Sequence, residues 1–138
     1  MEKEIYYFHT KDGEYYGGER VTVAGKYIGD ELVLSASKCS KKDHFAKKTG
    51  RDISTNRLND GIFVSTTTVD FGTFTDDVLR EAKRLAFISA ARAVADAVHA
   101  KGVNVKIKLI NLDESIMYNV FGVFDTIGSK NEFAYKIE

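Results

Sequence analysis

Seven cationic side chains lie within one stretch of the chain, residues 37–61, SKCSKKDHFAKKTGRDISTNRLNDG. The stretch has three acidic residues, so its net charge is +4, whereas the whole chain has 20 basic and 20 acidic residues. A positive field confined to one segment indicates a local anionic partner rather than general adhesion to polyanions. The cations are Lys38, Lys41, Lys42, Lys47, Lys48, Arg51 and Arg57.

Two of these arginines are the strongest candidates for binding phosphate. Lys47 and Lys48 can be explained as members of ordinary i,i+4 ion pairs with nearby aspartates on a solvated helix face. Arg51 and Arg57 have no acidic residue four positions before them. A guanidinium group without such a partner suits bidentate recognition of phosphate. We therefore predict a phosphate contact for Arg51 or Arg57, and a solvated charged face is the competing interpretation.

Residue types that catalyse reactions show no recognisable arrangement. The three histidines, His9, His44 and His99, are far apart and lack the spacing of a metal site. The single cysteine, Cys39, has lysines nearby, but a small residue at the end of a strand is the simpler interpretation. The letters DFG at 70–72 carry almost no information in so short a chain. The sequence favours binding over catalysis, so we expect a protein that is not an enzyme and has no metal or cofactor.

Two aromatic residues, Phe71 and Phe74, precede the second predicted helix and flank Gly72. Phenylalanine rings at the mouth of a pocket can stack on a nucleobase. For either ring alone, anchoring the loop into the core is the simpler interpretation. Both are candidate ligand-binding residues, together with Arg84 on the helix that follows.

The basic stretch is predicted to be helical from about Lys41, because Ser40 followed by Asp43 is a plausible capping box. Gly50 inside this helix costs about 1 kcal/mol relative to alanine, which predicts a bend or the close approach of another element. The core face is expected to hold Phe45, Thr49, Ile53 and Asn56, with Ala46 beside them, and the opposite side to hold His44, Lys47, Lys48 and Arg51, with Arg57 at the margin.

A second, long helix is predicted from Asp76 to Lys101, with Thr75 as its N-cap and Gly102 as its end. Two apolar stripes run along it, and Arg80 and Arg84 lie at the N-terminal end of the second. A helix that is apolar on two sides is normally covered on two sides. The second apolar side of the helix can be covered by other strands of the same chain or by a second copy of the protein. Because symmetric dimers are common, we expect a homo-oligomer, a dimer or larger. The stripes are Val78, Ala82, Leu85, Ala86, Ser89, Ala90, Ala93 and Ala97, and then Phe87, Ala91, Val94 and Val98.

Alternating or β-branched runs predict strands at 5–9, 20–28, 31–37, 62–69, 103–110, 116–125 and 133–137. Strands 20–28 and 31–37 should form a hairpin around Gly29-Asp30. The order of elements predicts an α+β fold with a mainly antiparallel sheet and two helices, one basic and one rich in alanine. The C-terminal strands are candidates for an oligomer interface.

Composition sets the broad class. A length of 138 residues predicts a single domain, 1–138, and 43% apolar residues can build a core. One cysteine excludes an internal disulfide bond and favours a reducing compartment. No apolar run reaches the roughly 20 residues that span a bilayer, and no signal peptide is recognisable. We therefore expect a cytoplasmic protein without a membrane segment.

The basic stretch also resembles a pattern in small phage proteins. The matching residues are Ser37, Lys38, Cys39, Ser40, Lys41, Lys42, Asp43, Phe45, Lys47, Lys48, Gly50, Arg51, Arg57 and Leu58. With the hairpin before it and the long helix after it, the chain resembles the phage Thoeris anti-defence sponge family over about half its length. Members are oligomers without enzymatic activity that sequester cyclic ADP-ribose isomers made by host TIR-domain proteins, and some also hold cyclic oligonucleotides.

The resemblance implies a small anionic nucleotide as ligand, held in the cytoplasm of an infected bacterium. Lys47, Arg51 and Arg57 would supply cations for its diphosphate, and Phe71, Phe74 or the tyrosines an apolar slot for its base. Two other functions stay open. A nucleic-acid-binding accessory protein could use the same basic helix, although the net charge of −4 on the rest of the chain counts against it. A protein that inhibits a host defence factor by direct binding is the third hypothesis.

Overall fold

The computed structural model describes residues 4–39, 46–69, 75–110 and 134–137. The strand predicted at 116–125 lies outside these ranges. The described elements are β1 (Tyr6–His9), β2 (Arg20–Ile28), β3 (Glu31–Cys39), α1 (Lys47–Asn59), β4 (Ser65–Thr68), α2 (Asp76–Lys101), β5 (Ile107–Ile110) and β6 (Ala134–Ile137).

Strands β1 to β4 form one antiparallel sheet in the order β1-β2-β3-β4, and β5 pairs with β6 in a separate antiparallel sheet. These sheets and the two helices confirm the predicted α+β fold. Strands β2 and β3 form the predicted hairpin, in which Ile28 pairs with Glu31 across the two-residue turn Gly29-Asp30. Gly29 has a φ of 65°, a left-handed conformation that glycine adopts without steric cost.

The four-stranded sheet is covered by a helix on each face. Side chains of a strand alternate between the two faces, so Val23 of β2 and Leu34 of β3 pack in the large core cluster that includes α2. Their neighbours Ala24 and Val33 pack on the other face, against Leu58 of α1. The central hairpin is therefore buried on both sides, and α1 and α2 lie on opposite faces of the sheet.

Helix α2 has the predicted bounds. Asp76 and Asp77 lie in its first turn, where the positive end of the helix dipole favours carboxylates. Gly102 ends the helix with a φ of 104°. Thr75 has the extended backbone of an N-cap, although its side chain makes no capping hydrogen bond.

Both predicted stripes of α2 are largely buried. Phe87, Ala91, Val94 and Val98 are buried, as are the five alanines of the first stripe, whereas Val78, Leu85 and Ser89 are half-buried. Strands of both sheets contact α2, so the chain itself contributes cover on more than one side. Self-association through these stripes stays a prediction.

Helix α1 differs from its prediction in start and in orientation. Ala46 has an extended backbone with φ of −132°, so the first helical residue is Lys47 and not Lys41. Ser40, Asp43, His44 and Phe45 lie outside the described residues. The predicted core face was wrong: Thr49, Ile53 and Asn56 are exposed, and the buried residues are Gly50, Ser54 and Leu58.

The face of α1 that packs on the sheet consists of small and hydroxyl-bearing residues, which allow the helix backbone to approach the sheet closely. A Cβ atom placed on Gly50 would overlap Thr22 Oγ1 of β2, which confirms the close approach predicted for this glycine. Ser54 Oγ donates to Thr22 O at 3.3 Å and lies 3.2 Å from Ser37 Oγ. Ser37 Oγ in turn donates to Gly50 O at 3.2 Å. Hydrogen bonds therefore replace much of the apolar contact that the sequence pattern predicts for a helix face.

Strands β4 and β5 are shorter than predicted. The expected strand 62–69 is regular only from Ser65 to Thr68, and the expected strand 103–110 only from Ile107 to Ile110. The residues after Gly102 form turns that bring the chain back from the end of α2. In the described ranges, neither helix has the combination of length and apolar character required for crossing a membrane.

Candidate functional site

Four basic side chains from three elements lie close together where α1 begins. His9 ends β1 and its Nδ1 is 2.9 Å from Thr22 Oγ1. Gly50 of α1 contacts the same threonine, and Lys47 and Arg51 lie on either side of Gly50 along the helix. Arg20, at the start of β2, completes the group. We call this surface the basic corner; its members are His9, Arg20, Lys47 and Arg51.

The electrostatics of His9 show that these charges are close. Burial lowers the pKa of His9, and the positive charges of Lys47, Arg51 and Arg20 lower it further. An anion bound at the corner would offset this repulsion, so the surface has the potential expected of an anion site.

We expect the stability of the protein to decrease as the pH falls through the range just below 6.5. A histidine whose pKa is lowered by folding binds more protons in the unfolded chain, so acid favours unfolding between the folded pKa and the ordinary value of 6.5. His9→Gln should flatten the dependence of the urea midpoint on pH between 7.5 and 5. An unchanged slope in this variant would show that other groups cause the dependence. Inorganic phosphate at millimolar concentration should also flatten it in the unmodified protein.

The two predicted arginines of α1 have different surroundings. The Cζ atom of Arg51 is 6.0 Å from the centre of the Tyr7 ring, at the limit of a cation–π contact, and its side chain is exposed. Arg57 is half-buried, and its Nη1 donates a hydrogen bond to Ala36 O on the edge of β3. Arg57 therefore helps to fasten α1 to the sheet, whereas Arg51 can reach a ligand.

The remaining predicted residues lie elsewhere. Arg84 forms an exposed ion pair with Glu81 on α2, on the other side of the sheet from Lys47 and Arg51. Phe71 and Phe74 lie outside the described residues. Within one chain, the structure therefore does not gather the predicted cations into a single site.

A cavity of about 430 Å³ lies at the N-terminal end of α2, beside the turn of the central hairpin. Its walls combine two aromatic rings, two cations and two carboxylates. We call it the tyrosine pocket; it is lined by Glu4, Tyr6, Tyr27, Gly29, Asp76, Leu79, Arg80 and Lys83.

The two tyrosines are fixed by contacts on several sides. Tyr6 pairs with Gly25 of β2, which places it diagonal to Tyr27, and their rings meet edge to face at 6.0 Å. Tyr27 donates its hydroxyl hydrogen to Lys83 O at 2.9 Å, while Lys83 Nζ lies 5.2 Å from the centre of the Tyr27 ring. Burial raises the pKa of both phenols, so they stay neutral over the physiological range. The pocket therefore has a rigid, uncharged aromatic wall.

Its charged groups are placed for polar recognition. Arg80 and Lys83 are three positions apart on α2, on adjacent turns of the same face. Glu4 accepts a hydrogen bond from the Tyr6 hydroxyl at 3.4 Å, and Asp76 lies in the first turn of the helix. A ligand in this cavity would therefore contact carboxylate acceptors and cations beside the aromatic wall.

Apart from the basic corner and the tyrosine pocket, a cluster of polar side chains joins the segment 10–19 to α2. Tyr15 donates its hydroxyl hydrogen to Asp96 Oδ1 at 2.8 Å and stacks on the His99 ring at 4.1 Å. His99 Nδ1 is 2.8 Å from Glu19 Oε2. These contacts anchor the segment, and we assign them a structural role. Among the described residues, no group of three or more histidine, cysteine or acidic side chains is arranged to hold a metal ion.

Sequence reasoning missed the tyrosine pocket because its walls come from distant segments. Arg80 was noted on α2, but Tyr6 and Tyr27 become neighbours only through the register of β1 and β2. A signal was available in the alternation of each strand, which places both tyrosines on the face toward α2.

The chain was also compared with known proteins. No family model, no curated protein and no solved structure matches it. Function is therefore inferred from the chemistry of the pocket and of the basic corner.

Proposed function

We propose that this protein binds a small cyclic nucleotide signal, of the cyclic ADP-ribose isomer class, in the tyrosine pocket and holds it without chemical change. The observation that carries the proposal is the composition of the pocket, in which an aromatic wall, two cations and two carboxylates surround one cavity of about 430 Å³. Small-molecule sites commonly have volumes of roughly 300–1000 Å³.

Each part of such a nucleotide has a complementary group. The adenine can lie on the tyrosine wall, since stacking on an aromatic ring is worth about 1–3 kcal/mol for a base. The diphosphate can bind Arg80 and Lys83 through charge-assisted hydrogen bonds. Glu4 and Asp76 can accept hydrogen bonds from ribose hydroxyls or from the amino group of the base. A uniformly basic pocket would lack these acceptors.

The resemblance to the anti-defence sponge family implies that the biological role of such binding is to sequester the nucleotide. A protein that retains the signal made by host TIR-domain proteins would block that antiphage defence. We propose that three further residues extend the site. They are Arg84, four residues after Arg80 on α2, and Phe71 and Phe74, which precede the helix in the sequence. A homo-oligomer could add the basic corner of a second copy, which would bring Lys47 and Arg51 to the ligand.

Removal of the two pocket cations should weaken nucleotide binding. Each charge-assisted hydrogen bond is worth about 1.5–3 kcal/mol, so Arg80→Ala and Lys83→Ala should each weaken binding roughly 10- to 100-fold. Isothermal calorimetry with a cyclic ADP-ribose isomer measures the affinity. Lys48→Ala is the matched control, because Lys48 is an exposed cation of α1 paired with Asp52 and should change the affinity less than about twofold.

Three results would contradict the proposal. Equal binding by the pocket variants and the control would place the ligand elsewhere. Recovery of a chemically altered nucleotide after heat release would indicate an enzyme. Tight binding of long DNA or RNA with a steep salt dependence, lost in Lys47→Ala/Arg51→Ala, would favour the nucleic-acid alternative, which the basic corner supports.

A further inference from the structure

The face of β1 that points toward α1 is only partly covered. Helix α1 packs mainly on β2 and β3, whereas β1 is an outer strand of the four-stranded sheet. Side chains alternate along a strand, so Tyr7 and His9 lie on the same face of β1. Tyr7 is 39% exposed and His9 is half-buried. The flank of α1 and these two side chains therefore border a surface that is open to solvent.

The flank of α1 that borders this surface carries two cations. Lys47, Arg51 and Thr55 are spaced four residues apart, so they lie on one side of the helix. Thr55 Oγ1 is 2.7 Å from the Tyr7 hydroxyl oxygen, and Arg51 Cζ is 6.0 Å from the centre of the Tyr7 ring. Among the described residues, neither Lys47 nor Arg51 forms an ion pair. Both charges can therefore act on a bound anion.

The start of α1 adds a positive potential of its own. The N-cap residue, Ala46, has no side-chain oxygen to accept hydrogen bonds from the first N–H groups of the helix, and no acidic residue lies in the first turn. The positive end of the helix dipole thus reinforces Lys47 and the other cations of the basic corner. Helix N-termini bind phosphate groups by this combination of N–H groups and dipole.

We infer that the basic corner and Tyr7 form a binding site for a nucleoside monophosphate, separate from the tyrosine pocket. The terminal phosphate, with a charge of about −1.5 to −2 at neutral pH, binds Lys47, Arg51 and the start of α1. The base lies on the exposed part of the Tyr7 ring. A phosphate monoester suits this site better than a diester, because several cations meet at one place and a diester carries a single negative charge.

The Tyr7 ring is held in position for this role. Its hydroxyl group is fixed by Thr55, and its backbone pairs with Ala24 of β2. The distance of 6.0 Å to Arg51 is at the limit of a cation–π contact, so the ring does not hold the guanidinium group firmly. Arg51 can therefore turn to a phosphate while the ring keeps its place.

A set of small probes separates the parts of the site. Binding of AMP, ribose 5-phosphate, cyclic AMP and adenosine to the full chain is measured by NMR titration at low salt. AMP should bind most tightly, and ribose 5-phosphate about fivefold more weakly because it has no base. Cyclic AMP, a diester, should bind at least about threefold more weakly than AMP. The His9 ring resonances, assigned with His9→Gln, should shift with AMP and with ribose 5-phosphate but not with adenosine.

Two substitutions distinguish phosphate recognition from base recognition. Arg51→Ala should weaken the binding of AMP and of ribose 5-phosphate about tenfold, whereas Lys48→Ala, the matched control, should change either less than about twofold because Lys48 is paired with Asp52. Tyr7→Leu should weaken AMP about fivefold and leave ribose 5-phosphate unchanged, and Tyr7→Phe should restore AMP binding. A merely structural role for Tyr7 predicts equal losses for both probes.

Three results would overturn the inference. Equal effects of Arg51→Ala and Lys48→Ala would show general attraction to the charged helix. Loss of AMP binding in Arg80→Ala would place AMP in the tyrosine pocket; we expect no change, so this site and the proposed function fail independently. Tighter binding of an oligonucleotide without a terminal phosphate than of AMP would indicate recognition of a nucleic-acid backbone. An oligonucleotide with a terminal phosphate that binds as AMP does would support the same chemistry at a chain end.

Discussion

Replacing Phe87 by alanine is expected to lower the free energy of unfolding by about 3–5 kcal/mol. Phe87 is 1% exposed, and its ring stacks on Tyr6 with centres 5.5 Å apart. The ring also fills the space above Gly25, where an added Cβ atom would lie only 2.7 Å from it. Truncation would therefore leave a cavity between α2 and the strand backbone that a sheet cannot easily close.

Urea denaturation measures this effect, and Ile88→Ala is the matched control. Ile88 follows Phe87 on the same helix but is 36% exposed, so its truncation should cost less than about 1 kcal/mol. Similar losses in the two variants would contradict the packing described here. Phe87→Leu should keep the fold while removing the support beneath Tyr6. If the proposed function is right, this milder variant should also bind the nucleotide more weakly.

Replacing Gly50 by alanine is expected to destabilise the protein by about 2 kcal/mol, although alanine favours helices by about 1 kcal/mol over glycine. The added methyl group would overlap Thr22 Oγ1 and push α1 away from β2. Thr49→Ala, one position earlier on the exposed face of α1, should be neutral or slightly stabilising. Unfolding by urea, followed by circular dichroism, distinguishes the two.

A double-mutant cycle locates the cause of the Gly50 effect. Thr22→Ala removes the hydroxyl group that the new methyl group would meet, so the double variant should be more stable than the sum of the two single effects predicts. The expected coupling is about 1 kcal/mol or more. Additive effects would show that Gly50 and Thr22 are not in contact, and a stabilising Gly50→Ala would show that α1 lies farther from the sheet.

The sequence predicts those parts of the fold that depend on capping and turn residues close together in the chain. Helix α2 follows from Thr75, the two aspartates of its first turn and Gly102, and the central hairpin follows from Gly29-Asp30 between two apolar runs. The core face of α1 could not be predicted from apolar periodicity, because the contact is made by Gly50 and Ser54. Close packing selects small residues there, and Ile53 is left 39% exposed.

The candidate sites were predictable only in part. The sequence identified Lys47 and Arg51 as cations on one helix, and the structure adds His9 and Arg20 beside them. It could not show that Arg84 lies across the sheet, because the face on which each helix packs depends on tertiary contacts. The tyrosine pocket likewise depends on strand register and on the position of α2 over the hairpin turn.

The hydroxyl-rich contact beneath α1 has a consequence for the motions of the protein. Little apolar area holds this helix, and its few hydrogen bonds can be exchanged for bonds to water at small net cost. We therefore expect α1 to detach in subglobal openings that leave α2 and the central hairpin intact. Each opening would move Lys47 and Arg51 away from His9 and Arg20, so the basic corner would form and separate independently of the tyrosine pocket, which keeps its shape.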